Sequence, residues 1–137
     1  MRTKKIAVAV AGALAALVLT VRCDSESPQK CICTEEFRSV VFAVISHTGA
    51  PVPVTDVVVT QVRTGTVLPV LQPGLHAGVV HVADDSFRSQ LQPAGDVLHA
   101  VATTDMGTVA ADVTVGVDEP CHCHVQRLSG PDLVPVP

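Results

Sequence analysis

The sequence predicts an all-β protein: an antiparallel Greek-key sandwich of about seven short strands, set behind an N-terminal signal helix. Three observations predict it. From residue 37 onward, valine-rich runs alternate with Gly- and Pro-containing turns, and β-branched side chains suit a pleated surface. This part of the chain shows no amphipathic helical period and no repeat of fixed length. The chain has 137 residues, enough for one domain of modest core.

Residues 1–22, "MRTKKIAVAVAGALAALVLTVR", are read as a signal peptide or an N-terminal anchor. Arg2, Lys4 and Lys5 form a positive start, and an uncharged apolar run extends from Ile6 to Val21. That run is short for a bilayer span of about 20 residues, so cleavage is preferred to anchoring. "LTVRC" resembles a bacterial lipoprotein signal, which makes Cys23 the candidate lipidated residue. The lipoprotein pattern wants a small residue before the Cys, and Arg22 stands there. Parity argues for the lipid: of five cysteines, assigning Cys23 to lipid leaves an even set that can pair fully. A simply secreted form is the alternative.

"DSESPQK", within the 23–30 tether, is polar and has no means of burying apolar surface. The domain is expected over 31–128. "FRSVVFAVIS", 37–46, is its first strand and ends at the turn "HTGAPVP". "VTDVVVTQVR", 54–63, is the second, with Val57, Val59 and Gln61 on one face. "TVLPVL", 66–71, comes after a Thr-Gly turn, and Pro69 lacks a ladder donor, which puts this strand at an edge. "VVHVAD", 79–84, comes next. The longer connection "DSFRSQLQPAG" carries Phe87 and Leu91 as apolar anchors. "DVLHAVATT", 96–104, turns through "DMG" into "TVAADVTVGV", 108–117. "CHCHVQRL", 121–128, closes the domain, and residues 129–137 are read as an extended Pro-rich tail.

Charge excludes some functions. Without residues 1–22, the cations are Lys30, Arg38, Arg63, Arg88 and Arg127, against 13 Asp and Glu, a net charge of −8. Such a surface repels phosphate backbones and anionic headgroups. No nucleic-acid partner is expected, and any membrane link must run through a lipidated or uncleaved N-terminus.

The chemistry gathers in two C-x-C pairs, Cys31/Cys33 and Cys121/Cys123. If both stretches are extended, i and i+2 share a face. Cys121 and Cys123 then point away from His122 and His124, so those four residues cannot close one tetrahedron in a regular strand. Neighbouring strands bring Cα atoms within disulfide range. A parallel meeting gives Cys31–Cys121 and Cys33–Cys123; an antiparallel one gives Cys31–Cys123 and Cys33–Cys121. Local bridges within each pair, or a zinc site on all four thiolates, are the other options. Export favours disulfides between the pairs.

"VVFAVISHTGAPVPVTDVVVTQVRTGTVL", together with "LQPAGDVLHAVATT" and its Gly95, resembles carboxypeptidase regulatory-like domains, which belong to the transthyretin-like (prealbumin-like) sandwiches. The likeness covers 37–117. It implies a transthyretin-like or Ig-like sandwich acting as a non-catalytic module in an exported protein. The flanking C-x-C pairs look like the mark of small bacterial lipoproteins carrying a solitary copy. A hydrolase of the same superfold, 5-hydroxyisourate hydrolase, ends in Tyr-Arg-Gly-Ser; this chain has no Tyr and ends "LVPVP".

The remaining polar motifs read as surface features. His47, His76, His81 and His99 are scattered, the last two on solvated strand faces. "HVADDS", 81–86, reads as a strand end turning, without a G-x-S-x-G elbow. Glu35-Glu36 and Asp118-Glu119 read as solvated flanks, since adjacent residues of an extended chain face opposite ways. The expected function is a binding or scaffold module outside the cytoplasm. It has no cofactor and no enzymatic constellation, and its partner is an unidentified protein or cell-envelope component met at a surface patch or at the Pro69 edge. The alternative is a metal-binding or thiol-redox protein using Cys121, His122, Cys123 and His124.

Overall fold

The computed structural model describes residues 30–137. The signal or anchor segment, Cys23 and most of the tether therefore lie outside the described residues. The chain is mostly strand: β1 Ser39–Ile45, β2 Val54–Gln61, β3 Thr66–Leu68, β4 Val79–Asp84, β5 Asp96–Thr104, β6 Gly107–Val117, β7 Val125–Ser129 and β8 Leu133–Pro135. Two short 3-10 turns, Leu75–Ala77 and Asp85–Gln90, flank β4.

The strands form two sheets, ordered β4-β1-β8 and β3-β2-β5-β6-β7. Alternation decides which side chains go inward. In β5 the buried residues are Asp96, Leu98, Ala100, Ala102 and Thr104, and in β6 Val109, Ala111, Val113 and Val115 join them. From the smaller sheet come Val40, Phe42, Val44, Val80, Val82 and Val134, and the apolar members of both sets belong to one hydrophobic core. Each fully buried Val, Leu or Phe side chain contributes about 1.5–3 kcal/mol.

The turns obey their residue chemistry. Gly49, at φ 82°, makes the left-handed step between β1 and β2. Gly78 sits at φ 72°, where a Cβ would come within 2.8 Å of the Val44 carbonyl. The β5–β6 hairpin turns at Asp105-Met106; Thr104 Oγ1 accepts from the Met106 N–H at 3.1 Å and donates to the Gly107 carbonyl at 2.8 Å.

The expected strand 79–84 and the expected strand 96–104 match β4 and β5. β3 lies at a sheet edge as expected, but it ends at Leu68 instead of 71, because Pro69 stops the ladder; Phe87 and Leu91 are buried anchors.

Three further expectations need correction. The strand expected at 121–128 starts only at Val125 and runs to Ser129. Ahead of it the chain turns: Glu119–Pro120 is a cis peptide and His122 has φ 53°, so the Cys and His side chains do not alternate across a strand.

The Pro-rich segment 129–137, expected as a tail, contributes β8. Leu133, Val134 and Pro135 pair with Ala43, Val44 and Ile45, while Val134 and Val136 are buried. A sheet edge tolerates proline because one side of the strand needs no donor.

Third, β8 runs parallel to β1, so the smaller sheet is mixed, and the described strands number eight.

Candidate functional site

The site is built where three distant segments meet: the approach to β1, the 3-10 turn after β4, and the β6–β7 connection. Two covalent bonds join the first to the third. Cys31 is bonded to Cys121 and Cys33 to Cys123, each across 90 residues with Cα atoms 5.4 Å apart. This is the connectivity expected from a parallel meeting of strands. Neither C-x-C pair lies in a strand, however. The two stretches run alongside each other as irregular backbone, and the register survives without the ladder. Such bridges persist in oxidising compartments, which fits a stabilised extracytoplasmic module. The alternative metal reading finds its two sulfurs consumed in these bonds and its two histidines on different tasks: His122 is exposed and His124 is buried.

"HVADDS" does more than turn the chain. Asp84 caps the 3-10 turn by accepting from the Ser86 N–H at 2.9 Å. Asp85 points inward. Its Oδ2 accepts from the Arg38 N–H at 2.8 Å and from His124 Nδ1 at 2.8 Å, and its Oδ1 accepts from the Val125 N–H at 2.7 Å. Its own N–H donates to the Arg38 carbonyl at 3.1 Å. Burial alone raises the Asp85 pKa. The hydrogen bonds from His124, Arg38 and Val125 outweigh that and hold it below the ordinary carboxylate value.

The ionised carboxylate fixes the imidazole. A carboxylate can only accept, so Nδ1 carries the proton and donates. In the neutral ring Nε2 is then an acceptor, and the Thr34 hydroxyl, 3.0 Å away, donates to it. The His124 backbone is held as well: its N–H donates to Asp118 Oδ1 at 2.7 Å, and its carbonyl accepts from the Asp118 N–H at 2.9 Å. His124 and Asp85 are both buried, while Thr34 is open to solvent.

A cleft of about 460 Å³ borders this line of groups, with Glu36, Phe37, Ser86 and Arg88 on its walls. Arg88 donates to the Cys123 carbonyl at 3.3 Å. Phe37, 69% exposed, also borders an apolar cavity of about 340 Å³ with Pro69, Leu71, Pro73 and Phe87.

The other sequence candidates are placed apart from this site. His99 lies on the outer face of the larger sheet, and its Nδ1 is 2.6 Å from Asp112 Oδ1. His81 is half-buried in β4, and burial lowers its pKa while nearby Asp84 pulls the other way. Its backbone is covered by the Gln72 amide, which accepts from the His81 N–H at 2.9 Å and donates to its carbonyl at 2.7 Å.

Sequence reasoning missed the Thr34–His124–Asp85 line. The only available signal was a His beside the last Cys and a carboxylate after a strand, residues 39 apart.

Comparison with family models, with curated proteins and with solved structures returned no match. Among the described residues, no helix is long and apolar enough to cross a membrane.

Proposed function

We propose that the chain is an exported β-sandwich module of the transthyretin-like, carboxypeptidase regulatory-like kind. In this reading it binds or scaffolds a partner outside the cytoplasm and is tied to the membrane through lipid on Cys23. The observation that carries the reading is the double bridge. Cys31–Cys121 and Cys33–Cys123 close almost the whole body into a covalent loop, which suits a small core outside the cell. Two packed sheets and a valine-rich interior support the sandwich assignment, and the net charge of −8 without residues 1–22 argues for a partner that is not anionic. The surface offered to a partner is the one beside edge strand β3, where Phe37 and Leu71 are 69% and 79% exposed.

Intact-mass spectrometry of the natively exported protein, with thiols counted under denaturing conditions, tests this. The expected product begins at Cys23, carries acyl chains and shows no free thiol at Cys31, Cys33, Cys121 or Cys123. A cytosolic product with these four thiols reduced would sink the reading.

A further inference from the structure

The hydrogen-bonded line from Asp85 through His124 to Thr34 ends at a hydroxyl in an open cleft. Its geometry is that of an activated nucleophile: hydroxyl to base at 3.0 Å, base to carboxylate at 2.8 Å. With Nδ1 protonated, the Nε2 lone pair needs a donor, and the buried imidazole takes it from a solvent-exposed alcohol rather than from a backbone N–H.

The surroundings fix this arrangement. Cys33 precedes Thr34 and Cys123 precedes His124, and these two cysteines are bonded to each other. Hydroxyl and imidazole are thus held opposite one another by the covalent frame, which removes most of the entropy cost of aligning them. Asp85 is locked by two backbone N–H groups, so it orients the ring and stabilises the imidazolium that forms on proton transfer. Arg88 borders the same cleft. Its guanidinium carries five N–H donors, one of which meets the Cys123 carbonyl, leaving others to face a developing oxyanion.

We propose that Thr34 is a nucleophile toward carboxylic esters, with His124 as its general base and Asp85 as the positioning residue. This goes beyond the module reading and does not depend on any partner. Thr34 Oγ1 attacks the acyl carbon while its proton passes to His124 Nε2. The bond from the acyl carbon to the alkoxy oxygen breaks, and the leaving alkoxide takes that proton and departs as an alcohol. The acyl group remains as an ester on Thr34. Water then gives a proton to Nε2 and attacks the acyl carbon. Thr34 leaves with that proton, and a carboxylic acid is released. No oxidant or metal enters the balance.

The test uses the oxidised, exported protein with p-nitrophenyl acetate, read by nitrophenol release and by peptide mass mapping after a quench. The expected result is an acetyl group on the peptide carrying Thr34. Thr34→Val is expected to lower the release rate by roughly tenfold or more. Thr34→Val also leaves Nε2 of buried His124 without its donor, so its unfolding midpoint is expected to fall, and its rate is compared at a temperature where both chains are folded. Thr34→Ser keeps a hydroxyl and is expected to form the acetyl adduct on residue 34, which covers the case of a Thr34→Val chain that folds poorly. An unchanged rate in Thr34→Val overturns the proposal, because surface imidazoles then account for the release. So does an adduct confined to Lys30 or to other histidines, or no adduct on residue 34 in either the parent or Thr34→Ser.

Discussion

Two buried carboxylates hold this molecule together in different ways. Asp96, at the start of β5, is 3% exposed and takes hydrogen bonds from Gln61 Nε2 at 2.9 Å, the Gln92 N–H at 2.9 Å, and Arg63 Nε and Nη2 at 2.6 and 3.1 Å. Asp85, after β4, is 6% exposed and takes two backbone N–H groups and an imidazole. Both are held below the ordinary carboxylate pKa. For Asp96 the Arg63 hydrogen bond is the main cause and outweighs burial; for Asp85 burial opposes the shift and the hydrogen bonds overcome it. The partner makes the difference. A guanidinium does not give up its proton in a protein, so the Asp96 node is a closed tie that anchors the turn between β2 and β3. An imidazole can exchange its proton, so the Asp85 node stays open at its far end, where Thr34 meets solvent. Burial of a carboxylate therefore says little about its use until the group next to it is known.

Three experiments bear on this contrast, in order of expected effect. The bridges guard only the Asp85 side. Replacing all four bonded cysteines by serine should cost about 4.5 kcal/mol for a loop of this length. Replacing Cys31 and Cys121 alone should cost far less, since the second bridge still closes the loop. Denaturant midpoints of the two variants read this directly, and equal losses would contradict it.

Asp85→Ala removes the acceptor from two backbone N–H groups and from buried His124, and should cost about 3 kcal/mol. The same measurement applies, and a loss below that of a typical surface change would mean the node contributes nothing to stability.

The third experiment is acid unfolding. Both aspartates have folded pKa values below their unfolded ones. The unfolded chain therefore binds more protons, and stability falls as pH drops from the unfolded carboxylate range through the folded values. Asp96→Asn and Asp85→Asn should each flatten that acid limb at a lower starting stability; an unchanged slope in both would refute the linkage.

Much of the architecture is legible in the valine pattern. β4 and β5 can be read to the residue, because alternation and flanking turn residues agree there. Pro69 gives away the edge position of β3 for a reason of backbone chemistry. The same rule misleads at the other end: the prolines of "LVPVP" suggest a tail, although Val134 and Val136 keep the period of two that a half-buried strand needs. The disulfide pairing is derived from strands that are absent at both C-x-C pairs. The two irregular stretches nonetheless run alongside each other, so the order of contacts is the same. The Thr34–His124–Asp85 line is out of reach, since its members lie 90 and 39 positions apart and meet only once β1 pairs with β4 and the bridges form.

The double bridge also sets how the molecule responds to a mechanical pull. Tension applied ahead of Lys30 enters the body at Cys31 and crosses sulfur to Cys121, without passing through β1. The chain between those two points is then shielded from stretching, and only the segment beyond Cys121 can lengthen. A tethered form would yield first by peeling β8 from β1, one short parallel ladder of three residue pairs, and only then would the load reach β7 and its ladder with β6 in the larger sheet.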